Sequence, residues 1–194
     1  MVLVVGNEEQ VSFTHVAPGT PAAAWRDHPG WGAGTPVSLD GVARLVVVAA
    51  HPDDESLGAG GLVATATRRG LEVEILCATD GEGSHPDSPT RTPEQLAGLR
   101  VEEGRQAARA LGVDRVHRLE LPDGGVAEHE ELLTQRLVEL VGDGRGEVIV
   151  APWRRDGHPD HEAAGRAAAV AARRTGADLW EYPIWFWHWA LLRW

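Results

Sequence analysis

Residues 45–55 read LVVVAAHPDDE, from Leu45 to Glu55, and this stretch decides the fold. LVVVAA is a continuous apolar, β-branched run, the pattern of a strand buried on both faces. Such strands belong to parallel sheets covered by helices, so the polar HPDDE that follows falls at a strand's carboxyl end. Downstream, Gly58 to Arg69 reads as a helix that Gly70 ends. VEILCAT (Val73 to Thr79) is a second buried strand, followed by a polar loop from Asp80 to Thr92. Pro93 to Leu111 reads as a helix with Thr92 as N-cap, Pro93 in the first helical position and Gly112 as the stop. A short strand over Val116 to Leu121 and a helix from about Glu128 to Val141 come next. EVIVAP (Glu147 to Pro152) is another buried strand, then a helix covers His161 to Arg174 and a fifth strand Leu179 to Tyr182.

Five alternations of strand and helix predict an α/β fold: a Rossmann-like three-layer sandwich with a mostly parallel sheet. Right-handed crossovers restrict the topologies, and the order 3-2-1-4-5 is expected. Residues 1–44 read instead as an arm. Ala17 to Val37 holds four of the 12 prolines (Pro18, Pro21, Pro29, Pro36) with Gly19, Gly30, Gly32 and Gly34, which break helices and strands alike. Trp25 and Trp31 are large apolar anchors, so the arm is expected to pack on a domain spanning 45–194. That domain ends in WEYPIWFWHWALLRW, which carries five of the eight tryptophans. Its rings are expected to cover the edge of the sheet.

Composition narrows the function. The 194 residues include 29 acidic and 18 basic side chains, a net charge of −11, which argues against a nucleic-acid partner. All 18 basic residues are arginine, which removes Schiff-base and P-loop lysine chemistry. Cys77 is the sole cysteine, so an internal disulfide and a thiolate metal cage are both excluded. No run approaches a membrane span, and MVLVVGNEEQ lacks the basic start of a signal peptide. A cytoplasmic location is expected, and a homo-oligomer is left open.

Chemistry-bearing residues gather after two strands. AHPDDE gives His51, Asp53, Asp54 and Glu55; DGHPDH gives Asp156, His158, Asp160 and His161. In the expected order, strands 1 and 4 are neighbours at the switch point where open α/β sheets bind ligands. The two clusters should therefore face one another. Residues three apart on a first helical turn share a face, which pairs His51 with Asp54 and His158 with His161. A catalytic zinc takes three N/O ligands and keeps one position open. His51, Asp54 and His161 are the expected ligands and Asp53 the expected general base. His158 would stabilise an oxyanion or protonate a leaving amine, with Asp160 orienting it. Helix capping explains Pro52 and Asp53 equally well, but it requires neither histidine pair.

AHPDDE after a buried strand, with HPDH later, resembles the PIG-L/LmbE-like family of metal-dependent N-deacetylases, over about Leu45 to Tyr182. The resemblance implies zinc, or ferrous iron, on His51, Asp54 and His161. It implies Asp53 as base, His158 as the electrostatic or acid histidine, and removal of an N-acetyl group from an N-acetylglucosaminyl-type small molecule. TDGEGS, LRVEE and LPDGG resemble family segments that meet substrate, which implies sugar contacts at Glu82, Arg100 and Asp123. Two rival readings remain at this level: a 2-His-1-carboxylate iron oxygenase, and a non-catalytic metal-containing module that docks a partner through the Trp-rich end.

Overall fold

The structure is a computed structural model describing residues 18–28, 30 and 34–190; Trp31 lies outside them. The elements run α1 (Ala22–Arg26), β1 (Arg44–Ala49), α2 (Asp54–Arg68), β2 (Glu72–Thr79), α3 (Pro93–Ala110), β3 (Arg115–Leu121), α4 (Glu130–Val141), β4 (Glu147–Pro152), α5 (Pro159–Thr175), β5 (Asp178–Tyr182) and α6 (Phe186–Trp189). A single 3₁₀ turn, Val126–His129, precedes α4. The five strands form one sheet in the order β3-β2-β1-β4-β5, every pair parallel. This is the expected order and the expected sandwich.

Alternation along β1 assembles the layers, because successive side chains leave opposite faces of a strand. Val46 and Val48 point into one core with Leu133 and Leu137 of α4 and the alanines of α5. Leu45 and Val47 point into the other, with Ala59 and Val63 of α2 and Ala108 of α3. Chain order runs outward from β1 through β2 to β3, and from β4 to β5 on the other side. The loops leaving β1 and β4 therefore flank the switch point.

Three readings of the sequence require correction. Helix α2 begins at Asp54, not Gly58. The Asp54 carboxylate accepts from the Ala50 and His51 N–H groups (2.9 and 2.8 Å), and this tethers the turn that starts the helix. Helix α5 begins at Pro159, with the His158 side chain capping it by accepting from the Asp160 N–H, not at His161. Both motifs thus lie partly on first helical turns. The proline-rich arm also contains regular structure, since three alanines after Pro21 form α1.

Two glycines set helix positions. Any Cβ at Gly58 would strike the ring of Tyr182, whose hydroxyl donates to the Val48 carbonyl at 2.6 Å. A Cβ at Gly165 would stand 2.5 Å from the Pro152 carbonyl oxygen and 2.8 Å from the Arg154 nitrogen. Helix α5 therefore rests directly on the backbone at the exit of β4.

The arm residues that are described meet the Trp-rich segment. Trp25 Nε1 donates to the Trp187 carbonyl at 2.8 Å, and its ring lies 5.5 Å from Phe186. The Thr20 N–H donates to the His188 carbonyl at 2.7 Å.

Candidate metal centre

Asp54 is the pivot between the two loops. It is buried, and its Oδ2 lies 3.6 Å from His51 Nδ1 while its Oδ1 lies 3.2 Å from His161 Nε2. His158 completes a triangle of imidazoles, with ring centroids 4.9 Å from His51 and 4.7 Å from His161. The ligand atoms of His51, His158 and His161 all lie within 4.8 Å of one another, as do those of His51, Asp123 and Asp160. The two clusters that are 100 residues apart in sequence do face each other.

Asp53 occupies an unusual backbone position. Its φ of 148° and ψ of −20° fall where side chains with a Cβ are strained. Two neighbours hold it there. Arg100 donates through Nη2 to the Pro52 carbonyl (2.7 Å) and meets the Asp53 carboxylate at 3.1 Å. From inside, Glu55 Oε2 accepts from the Asp53 N–H at 3.2 Å. The side chain of Asp53 remains half exposed, so it is open to a water or a substrate.

Other residues singled out in the sequence have acquired definite partners. Asp160 is fully buried, and its carboxylate accepts from Gly124 N–H (2.8 Å) and Val126 N–H (3.1 Å) and meets His51 Nε2 at 3.0 Å. Orienting His158 was its expected task. Its carboxylate meets His51, and its backbone N–H donates to His158 Nδ1 at 3.2 Å. Asp123 lies 3.2 Å from His51 Nε2 and accepts from the Gly83 N–H at 2.8 Å. Glu82 in turn accepts from the Asp123 N–H, also at 2.8 Å. Arg100, Glu82 and Asp123 thus border the centre as parts of its walls.

One residue of the second cluster has no role assigned from the sequence. Asp156 is fully buried, and its Oδ2 meets His161 Nδ1 at 2.7 Å. The sequence signal was present as an aspartate five residues before a candidate ligand, but no regular periodicity brings i and i+5 together.

Electrostatics matches this arrangement. Burial alone would lower His51, but Asp123, Asp160 and Asp54 overcome it and push its pKa up to about 12. Burial likewise opposes charge on His161, which Asp156 and Asp54 raise to about 9. His158 goes the other way, to about 4, through burial and the neighbouring charges of His161 and His51. Asp54 is held ionised against its burial by His161 and His51. For Asp53, burial and the nearby Asp54 raise the pKa against the pull of Arg100. The carboxylates around His51 and His161 demand positive charge, and a divalent cation on these imidazoles would satisfy that demand in place of their protons. Two imidazoles and a carboxylate are also the donor set that borderline cations such as zinc accept.

Comparisons with known proteins agree. The chain is 32% identical over 180 residues to 1D-myo-inositol 2-acetamido-2-deoxy-alpha-D-glucopyranoside deacetylase of Mycobacterium sp. (strain KMS), covering 80% of this chain and 58% of that protein. It is 32% identical over 126 residues to diacetylchitobiose deacetylase of Thermococcus kodakarensis, covering 64% of this chain and 47% of the relative. The solved structure of N,N'-diacetylchitobiose deacetylase from Pyrococcus horikoshii, complexed with its inhibitor MPG, superposes with a TM-score of 0.60 at 28% identity. That match covers 68% of this chain and 49% of the other. The chain spans about half the length of these relatives. The family described as PIG-L, GlcNAc-PI de-N-acetylase, matches residues 46–172 and takes in both motif loops, so the chain belongs to the PIG-L family.

Proposed function

We propose that this protein is a metal-dependent hydrolase that removes the N-acetyl group from an N-acetylglucosaminyl-type small molecule. The observation that carries the reading is the buried Asp54 carboxylate reaching His51 with one oxygen and His161 with the other, with the strained, half-exposed Asp53 beside it. Those three side chains would hold zinc or ferrous iron. When bound there, the cation would supply Lewis acidity, polarising an amide carbonyl and making water a better nucleophile.

The chain's own groups do the rest. Asp53 takes the proton of the attacking water; its raised pKa suits both accepting that proton and passing it on. His158, whose ring lies 4.9 Å from His51 and 4.7 Å from His161, would face the developing oxyanion and the departing amine. Asp160 fixes the His51 ring. Glu82, Arg100 and Asp123 offer the sugar polar edges, and a hydroxyl binding there competes with the bonds these residues already make.

The all-parallel sheet and the family favour hydrolysis over the iron-oxygenase reading. Among the described residues no helix is long and apolar enough to cross a membrane. We place the protein in the cytoplasm, where its one buried cysteine stays reduced.

The test is acetate release from a panel of N-acetylglucosaminyl conjugates by metal-stripped protein with zinc or ferrous iron added back. Metal-dependent release is expected, with metal content lost in His51→Ala and His161→Ala. Tight metal binding without release from any conjugate would overturn the substrate class. Undiminished metal content in both variants would overturn the ligand set.

A further inference from the structure

We propose that Asp156 is the positioning residue of the metal centre: it selects the nitrogen that His161 presents and anchors that choice to the aromatic segment at residues 184–189. The inference rests on the metal-site reading above and adds a residue outside the ligand and base set.

Asp156 is saturated with donors. Its Oδ2 accepts from His161 Nδ1 (2.7 Å) and the Trp185 N–H (3.0 Å). Its Oδ1 accepts from the Ile184 N–H (2.8 Å) and the Phe186 N–H (3.1 Å). The main-chain carbonyl of the same residue accepts from Trp189 Nε1 at 2.5 Å. An ionised carboxylate has no proton to give, so the contact with His161 requires the proton to sit on Nδ1. With a cation in place of the second proton, Nε2 is the nitrogen that would present a lone pair, and it is the one that lies 3.2 Å from Asp54.

Three backbone N–H groups from the turn into α6 keep the carboxylate from rotating away. The Trp-rich segment therefore supports His161 through Asp156. Described residues of the arm hold the segment in turn, through Trp25 and Thr20.

An amide at this position separates shape from charge. Asp156→Asn keeps one oxygen, which either faces the Ile184 and Phe186 donors or faces His161. In the first orientation the new N–H₂ points at His161 and favours the opposite tautomer, with the proton on the ligand nitrogen. The first sets N–H₂ against one backbone donor, Trp185, and the second against two, Ile184 and Phe186, so the second is disfavoured.

The experiment compares zinc affinity of the full chain and Asp156→Asn by competition with a chromophoric chelator. Long-range ¹H–¹⁵N NMR of the zinc-loaded wild type, which needs no variant, reads the His161 tautomer. We expect affinity to fall about 10- to 100-fold in Asp156→Asn, and the wild-type spectrum to show Nδ1–H. Affinity within about threefold of wild type overturns the positioning role, as does a spectrum with the proton on Nε2. A wild type that binds no zinc overturns the metal-site reading, and this inference with it.

Discussion

The two loops that build the centre are held by opposite means. The AHPDDE loop leaves β1 with Asp53 in a strained backbone conformation, secured from outside by Arg100 of α3 and from within by Glu55. The DGHPDH loop leaves β4 without a strained side-chain-bearing residue. It is secured by hydrogen bonds that converge on Asp156 from the chain that follows β5. Strain is tolerated where a group must project toward substrate, while saturated hydrogen bonding serves where a ligand must not move. A centre with an open position for water needs both.

This contrast can be broken or sharpened by experiment. Asp53→Asn should lower kcat about 10²- to 10⁴-fold while metal content stays at the wild-type level; loss of metal in this variant would make Asp53 a ligand instead of a base. Arg100→Met should reduce kcat by about 10- to 100-fold, since a misplaced base is costly even when its chemistry is intact. KM read in the same assay separates two roles, because a pure sugar contact would raise KM and leave kcat alone. Asp53→Gly should stabilise the metal-stripped protein by about 1 kcal/mol: the strain released exceeds the entropy glycine adds to the unfolded chain. Urea melts measure it. A destabilised Asp53→Gly would mean that the loop is held by the Asp53 side chain and not against its backbone.

Much of this was legible in the sequence, for reasons that differ by residue. Continuous apolar runs such as Leu45 to Ala50 and Glu147 to Pro152 carry their own signal, and the order of the sheet follows from alternation and crossover handedness. Thr92 and Pro93 announce α3, and the structure completes the cap with a box in which the Gln95 side chain takes part. The starts of α2 and α5 were less visible. Gly58, Gly60 and Gly61 weaken helix propensity, and what starts α2 is a carboxylate reaching back to Ala50 and His51, a contact no propensity scale includes. Asp160 and Glu82 were seen as site residues, yet their partners come from other loops, so only the fold could assign them to His51 and Asp123. Asp156 stayed without a role because its backbone donors lie 28 to 30 residues downstream.

Gly165 carries a consequence for the whole centre. It lies one helical turn after His161, on the same side of α5, where the helix touches the backbone leaving β4. A methyl group there would lever the helix off the strand, and the ring of His161 would be lifted with it, away from Asp54. The absence of a side chain at 165 thus acts as a depth gauge: it sets how far into the molecule His161 is seated.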